Sequence, residues 1–226
     1  MTRILTAFVC ILVFEILCVD TRGGSSRHGD RLEGMDATSD SEMGSDYRAL
    51  YEKELFVTPG RLARFVQLPG PVNQPEISVA LDQIPHGASY TLTGTKPTKI
   101  LANLVPRQKN AHPPAELVPV SRKDAPIPKS TALAIHKLWL TMLQHQAQPR
   151  FVIGEGTTEI FSAEGPDGKQ LRAALPPGAG KTTTELAKIG FMLFDYCYDP
   201  VSDRAKKAHE IEERVSSLQR SVESHQ

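Results

Sequence analysis

The clearest chemical motif in the chain is PPGAGKTT, residues 176–183, which ends like a phosphate-binding loop. A Walker A loop requires glycine five positions before Gly180, and this chain has Leu175 there. We therefore interpret the motif as a turn that leads into a helix, with Thr182 and Glu185 as a capping box. Any anion that binds would meet the amides at this helix start. The candidate anion-binding residues are Gly178, Gly180, Lys181 and Thr182.

The seven histidines show no spacing that is typical of a metal site. None forms an HxxxH or HxH pair, and none is paired with a cysteine at ligand spacing. His136 and His145 lie about 2.5 turns apart on one predicted helix, so their side chains point to opposite sides. The sequence therefore indicates no metal ion and no other cofactor.

A group of carboxylates is the best starting point for hydrolytic chemistry. Glu155, Glu159, Glu164 and Asp167 cluster around a predicted hairpin, where a hydrolase could hold an acid and base pair. Charged hairpin turns are usually only solvated, however, and no GxSxG motif is present. Cys197 follows an apolar helix between two tyrosines and is expected to pack as a small hydrophobic residue. We therefore assign no catalytic residue.

The charge balance argues against nucleic acid as a partner. Lysine plus arginine equals aspartate plus glutamate at 26 each, so the net charge is zero. Two of the three cysteines lie in an apolar N-terminal run, which excludes a disulfide framework. Packing must stabilise the fold, and 40% apolar residues are enough to form one core.

Residues 1–23 are predicted to be a signal peptide or membrane anchor. The apolar run at 4–19 follows Arg3 and precedes a polar segment, which is typical of export signals. It is shorter than the roughly 20 residues that a spanning helix prefers. Glu15 and the arginines after the run leave open both cleavage near Gly23 and a retained anchor. We expect a secreted, periplasmic or membrane-anchored protein that meets the membrane only through this segment.

The rest of the chain divides into a linker and a domain. Residues 24–46 are rich in glycine, serine and aspartate, so we predict a disordered linker. A single domain at 47–198 would begin with a short helix at 47–55. Apolar runs separated by proline and glycine then predict strands at LARFVQL, EISVALD, ASYTLTG and TKILANLV. Six prolines in residues 106–129 indicate an extended surface connection, with an edge strand at 116–120.

Two helices with helical apolar spacing are predicted at 130–146 and 182–196. Between them we predict a hairpin from 151–153 into 157–161, and a further strand at 170–174. The predicted fold is therefore α+β: a small antiparallel sheet packed by two main amphipathic helices, with an extra C-terminal helix.

That extra helix, within residues 199–226, carries an apolar seam with alternating spacings of three and four. The seam residues are Ala208, Ile211, Val215, Leu218 and Val222. Both a dimeric coiled coil and a helix laid on the domain satisfy this pattern, and the oligomeric state stays open. The helix is also a candidate contact for a partner protein.

Residues 64–196 resemble a family of short exported bacterial proteins that is uncharacterised. The resemblance rests on FVQLPG, KLWLTML, RFVIGEGTTEIFS, a PPG turn and TELAKIGFMLFDY. It implies export and a single α+β domain, and it transfers no catalytic residue. The family usually ends at the LFDY helix, so the C-terminal helix of this chain departs from the pattern.

The sequence favours a non-enzymatic binding or interaction domain of the cell envelope. The first alternative is an extracytoplasmic hydrolase whose site is assembled from separated residues. The second is a phosphate or nucleotide binder at the PPGAGKTT turn. A deep pocket with converging polar side chains would favour the hydrolase.

Overall fold

The structure is a computed structural model that describes residues 30–35, 45–56, 58–68, 75–85, 89–101, 119–148, 158–176 and 178–224. Its strands are β1 Glu33–Gly34, β2 Ala63–Leu68, β3 Ile77–Gln83, β4 Tyr90–Pro97, β5 Val120–Ile127, β6 Thr158–Glu164 and β7 Gln170–Ala174. Its helices are α1 Ser45–Leu55, α2 Lys129–Gln144, α3 Lys181–Tyr198 and α4 Arg204–Glu223, with a 3-10 turn at Val201–Asp203.

The seven strands form one antiparallel sheet in the order β1-β7-β6-β2-β3-β4-β5. The central strand β2 is buried along its whole length because both faces of the sheet are covered there. On one face, Phe65 and Phe161 pack in the main core with α2 and α3. On the other face, Val66 packs with Tyr51 of α1. The predicted α+β fold is confirmed.

Helix α3 approaches the sheet closely at Gly190. A Cβ atom at this position would lie 2.5 Å from the ring of Phe65 on β2. Because the interior is close-packed, a larger residue here would force the helix and strand apart. Gly190 thus sets the distance at which the apolar side of α3 meets the sheet.

Arg64 of β2 joins the sheet to the end of α1. Its guanidinium donates to the carbonyl oxygens of Leu55 and Thr58 and stacks over the ring of Phe56. Burial lowers the pKa of Arg64 to about 10, so the group is still charged at neutral pH. A cation at the C-terminal end of a helix is favourable because the last carbonyls lack intrahelical partners.

Most elements predicted from the sequence are confirmed. The first three apolar runs form β2, β3 and β4, residues 170–174 form β7, and the three predicted helices form α1, α2 and α3. The predicted strand at 98–105 is wrong at residues 98–101, which form a bend and a 3-10 turn, and 102–105 lie outside the described residues. Residues 151–153 of the predicted hairpin also lie outside them.

The predicted surface connection is wrong at its C-terminal end. Residues 120–127 form β5, which pairs with β4 along its entire length. This strand escaped detection because it is an edge strand with a polar sequence, VSRKDAPI, in which only Ala125 and Ile127 are buried. An edge strand also tolerates Pro126 because its outer side needs no donor for a neighbouring strand.

Part of the predicted linker belongs to the fold. Residues 33–34 form β1, which pairs with β7 and also bridges to Ala147 after α2. Leu32 is completely buried in the main core. The disordered assignment of residues 24–46 is therefore wrong for 30–35. The average composition of the segment gives little weight to a single residue such as Leu32. The burial of its side chain offsets the conformational entropy that is lost when the neighbouring residues become ordered.

The C-terminal helix lies on the domain. Its seam residues Ala208, Ile211, Val215 and Leu218 are buried against α2 and α3. Polar contacts flank this seam: the Thr131 hydroxyl donates to Glu212 at 2.8 Å. The seam is therefore used within the chain, and a coiled coil would lack the surface it needs.

None of the described helices is both long and apolar enough to cross a membrane. The predicted leader, residues 1–23, lies outside the described part of the chain. Its role as a signal peptide or anchor stays a prediction from the sequence.

Candidate functional site

The PPGAGKTT segment leads into α3, as predicted, but its helix cap differs from the prediction. The N-cap position is Gly180, two residues before the predicted Thr182, so the proposed capping box is wrong. A carboxylate oxygen of Asp30 instead accepts a hydrogen bond from the Thr182 N–H at 3.0 Å. Glu185 faces away to Lys188, at 2.6 Å, and Arg214, at 3.5 Å. Asp30 thus supplies the negative charge that a helix N-terminus favours.

The two glycines of the PPGAGKTT motif have structural roles at the start of α3. A Cβ atom on Gly180 would lie 2.2 Å from a carboxylate oxygen of Asp30, so only glycine allows this approach. Gly178 has a φ of +75°, which lets the chain turn into the helix. Lys181 is exposed at the first helical position. A phosphate at the candidate residues Gly178, Gly180, Lys181 and Thr182 would have to displace Asp30.

The carboxylates that the sequence grouped together have different surroundings in the structure. Glu159 lies half-buried within β6, where burial raises its pKa above the ordinary value. Asp167 lies in the turn after β6 and pairs with Lys169 at 3.5 Å. Glu164 ends β6 and pairs with Arg61 at 3.6 Å. Glu155 lies outside the described residues, and Glu164 and Asp167 each pair with a different basic side chain.

Cys197 packs as the sequence predicts. Its side chain is completely buried, and the thiol donates weakly to the carbonyl of Leu193 at 3.5 Å. Burial raises the pKa of the thiol to about 12. Because the thiolate is the reactive form, this cysteine is chemically protected.

Within the described residues, no group of three or more histidine, cysteine, aspartate or glutamate side chains could hold a metal ion. His136 contacts the carbonyl of Leu62, while His209 contacts Glu213 at 3.4 Å on the outer side of α4. These two imidazoles serve separate parts of the fold.

A groove opens at the end of the sheet where β2 begins and β3 and β6 end. It encloses about 540 Å³ and is bounded on one side by α2. We call it the His136 groove. Its lining residues are Arg61, Leu62, Asp82, Gln83, Ile84, Pro85, His136, Glu164 and Gly165.

Most charged and polar groups of the His136 groove hold the chain segment that enters β2. Asp82 accepts hydrogen bonds from the N–H groups of Gly60 and Arg61 at 2.9 and 2.8 Å. The Nδ1 atom of His136 lies 2.7 Å from the carbonyl oxygen of Leu62. Because a carbonyl only accepts, Nδ1 must carry the hydrogen, which makes Nε2 an acceptor in the neutral ring. These side chains therefore have structural roles before any ligand binds.

Large apolar side chains are exposed at and near the His136 groove. Ile84 is 45% exposed and lines the groove beside Pro85. Leu133 is 43% exposed and lies three residues before His136 on α2, where helical spacing makes them neighbours on one face. Exposed apolar side chains beside charged groups are a common feature of surfaces that contact another protein.

Glu164 and His136 stand out in the sequence, but nothing in the sequence groups them. The groove draws its residues from the start of β2, the ends of β3 and β6, and the middle of α2. No spacing rule connects such positions, because only the antiparallel register places the strand ends together. Exposed Ile84 also resembles an ordinary strand residue when it is read as sequence alone.

Comparisons with protein-family models, curated proteins and solved structures found no match for this chain. The resemblance of residues 64–196 to exported bacterial proteins therefore stays a prediction.

Proposed function

We propose that this protein is a non-enzymatic binding domain that works outside the cytoplasm or on a membrane surface, and that the His136 groove contacts its partner protein. The observation that carries the proposal is the exposure of Ile84 and Leu133 at and near this groove. Both side chains are roughly half exposed, so covering them would contribute about 1 kcal/mol each.

The polar groups of the groove fit a rim better than a reaction centre. Asp82 already accepts two backbone N–H groups, and Glu164 is paired with Arg61. Such groups can orient a partner at the edge of an apolar contact while they retain their structural roles. The described lining residues include no hydroxyl, thiol or amine nucleophile.

The way α4 is used supports a partner contact elsewhere than on its apolar seam. The sequence assigned a partner to the C-terminal helix, but four of its five seam residues are buried within the chain. We therefore assign the contact to the His136 groove. The location outside the cytoplasm rests on the leader, with its apolar run after Arg3 and before a polar segment.

The proposal is tested by placing a photo-crosslinking amino acid at Ile84 in the full chain, expressed in its own cells. Val201, which is 75% exposed and lies in the 3-10 turn before α4, is the matched control position. We expect one discrete adduct from position 84 and none of that size from position 201. When Leu133→Glu is added to the protein that carries the crosslinker at position 84, the adduct should disappear, because the substitution places a charge beside the contact.

Two results would contradict a partner at this groove. One is the same set of adducts from positions 84 and 201, which would indicate random collision. The other is an adduct from position 84 that Leu133→Glu leaves unchanged, which would show that the contact does not extend to Leu133.

Hydrolysis is the second candidate function, and the tautomer of His136 favours it. An Nδ1 atom held by a carbonyl orients the ring and leaves Nε2 able to take a proton from water. Purified protein would be assayed on ester, peptide and phosphoester substrates, with His136→Asn as the variant and Leu133→Glu as the control. Turnover that is lost only in His136→Asn would favour the hydrolase over the binding domain.

A further inference from the structure

Two neighbouring residue pairs of β4 and β5 lie on the side of the sheet that faces α3. Gly94 pairs with Lys123, and Lys96 pairs with Ser121. Tyr198, the last residue of α3, lies over these two pairs. Its hydroxyl is 2.9 Å from the carbonyl oxygen of Ser121 and 3.3 Å from that of Gly94. A Cβ atom on Gly94 would lie 3.0 Å from the tyrosine ring, so the glycine makes room for it.

Two lysine side chains converge on the ring of Tyr198. The Nζ atom of Lys96 lies 4.6 Å from the ring centroid, and that of Lys123 lies 5.0 Å from it. The two residues are diagonal neighbours in the ladder, with backbones about 7–8 Å apart. The negative face of the ring attracts each ammonium group. It thus holds two like charges close together, although they repel each other.

Neither ammonium group has a carboxylate partner among the described residues. Five other lysines in that part of the chain do, at distances between 2.6 and 3.9 Å: Lys53, Lys137, Lys169, Lys188 and Lys207. The carboxylates that follow Lys123 and Tyr198 in the chain have other partners. Asp124 accepts a hydrogen bond from the Thr93 hydroxyl, and Asp199 forms an ion pair with Lys207. Within the described part of the chain, two positive charges therefore lie over one aromatic ring without a carboxylate partner.

We propose that Lys96 and Lys123, positioned by Tyr198, bind the phosphate group of a phosphorylated ligand. A phosphate monoester carries close to two negative charges at neutral pH and several acceptor oxygens, which matches two ammonium donors. A carboxylate would neutralise only one of them. Burial raises the pKa of the Tyr198 phenol, so the hydroxyl stays neutral and adds no competing negative charge.

This site lies at the opposite end of α3 from the PPGAGKTT motif. The motif starts the helix at Lys181, where Asp30 already holds an amide, whereas Tyr198 ends it. The proposal does not depend on the His136 groove. If one of the two proposals fails, the other is unaffected, because the two sites share no residue.

The test is calorimetric titration of the full-length protein with inorganic phosphate at low ionic strength. We expect saturable binding that the double variant Lys96→Ala/Lys123→Ala weakens at least tenfold. The matched control is Lys129→Ala/Lys206→Ala, which removes the same charge from two other exposed lysines. This control and Lys181→Ala should bind as the unmodified protein does, and thermal unfolding should show that all variants are folded.

Two further ligands identify the source of the phosphate. A sugar phosphate tests a soluble ligand, and vesicles of phosphatidic acid tested against vesicles of phosphatidylcholine alone test a lipid headgroup. Binding of either phosphorylated ligand that is lost in Lys96→Ala/Lys123→Ala supports the site. The absence of saturable binding, an equal loss in the control variant, or a loss only in Lys181→Ala would overturn it.

Discussion

The carboxylate of Asp30 accepts a hydrogen bond from the backbone N–H of Thr182 over 3.0 Å and joins positions that are 152 residues apart in the chain. The contact ties the segment before β1 to the start of α3. It supplies the cap that the helix lacks from its own residues. It also explains why glycine occupies position 180, where a side chain would collide with Asp30.

We expect Asp30→Ala to lower the free energy of unfolding by about 1 kcal/mol, because the helix loses both an acceptor and a favourable charge. Asp30→Asn should cost less, since the amide oxygen still accepts. Urea unfolding followed by circular dichroism measures both. Asp203→Ala is the control, because Asp203 occupies the N-cap of α4 without a side-chain cap. Equal stability of Asp30→Ala and the unmodified protein would contradict the capping role.

The docked position of α4 predicts the effect of a charge within its seam. Ile211 is completely buried against the domain, so Ile211→Asp should destabilise the whole fold by several kcal/mol. A dimeric coiled coil would behave differently, since the same change would yield a folded monomer. Sedimentation combined with thermal unfolding separates these outcomes. Glu210→Asp, at an exposed position of the same helix, controls for the mutation itself.

Glu159 predicts a pH dependence of stability. Burial raises the pKa of this carboxyl above its ordinary value of 4.5, so protonation favours the folded state. The stabilisation is fully present below the unfolded pKa and is lost as the pH rises through the folded pKa. Glu159→Gln, which is always neutral, should therefore melt at a higher temperature than the unmodified protein at pH 7.

This advantage of Glu159→Gln should shrink as the pH falls through the raised pKa of Glu159, and it should vanish below 4.5, where the carboxyl is protonated in both the folded and the unfolded state. Melting temperatures measured across this range provide the check. Glu210→Gln removes an exposed carboxyl and should show no such trend. A constant difference at all pH values would show that packing, not ionisation, distinguishes the variant.

Cys197 should resist alkylation in the native protein. At a pKa of about 12, compared with the ordinary 9.0, its thiolate fraction near neutral pH is lower by about a thousandfold, and the side chain is buried as well. Iodoacetamide labelling followed by peptide mass spectrometry reports this cysteine separately. We expect rapid labelling only in denaturant. Labelling of the native protein at the rate of an ordinary exposed thiol would show that α3 opens at this position.

Much of the fold could be predicted from local patterns. The apolar stripe through Ile135 and Leu138 predicted α2, and the stripe through Leu186 and Ile189 predicted α3, because one side of each helix must be buried. The apolar runs of β2, β3 and β4 were visible for the same reason. Strand β5 was missed because an edge strand buries few side chains and so carries little periodic signal.

The two proposed sites could not be found in this way. The His136 groove unites residues from the ends of three strands and a helix, and the phosphate site unites Lys96, Lys123 and Tyr198 from two strands and a helix end. The motif that looked most like a site in sequence, PPGAGKTT, instead receives Asp30 from the same chain. The free N–H groups at a helix N-terminus can donate to a carboxylate of the same chain or to a bound anion, and the sequence does not show which of the two is present.

By itself the sequence determined the α+β class, the positions of the main helices and the seam of the C-terminal helix, because each depends on apolar residues repeated within a short segment. Only the tertiary structure decided that this seam docks on α2 and α3, that Leu32 and Asp30 join the fold, and that Ile84 stays exposed near His136. Those outcomes depend on contacts between segments far apart in the chain. Such contacts are set by sheet register and helix packing, which no local pattern encodes.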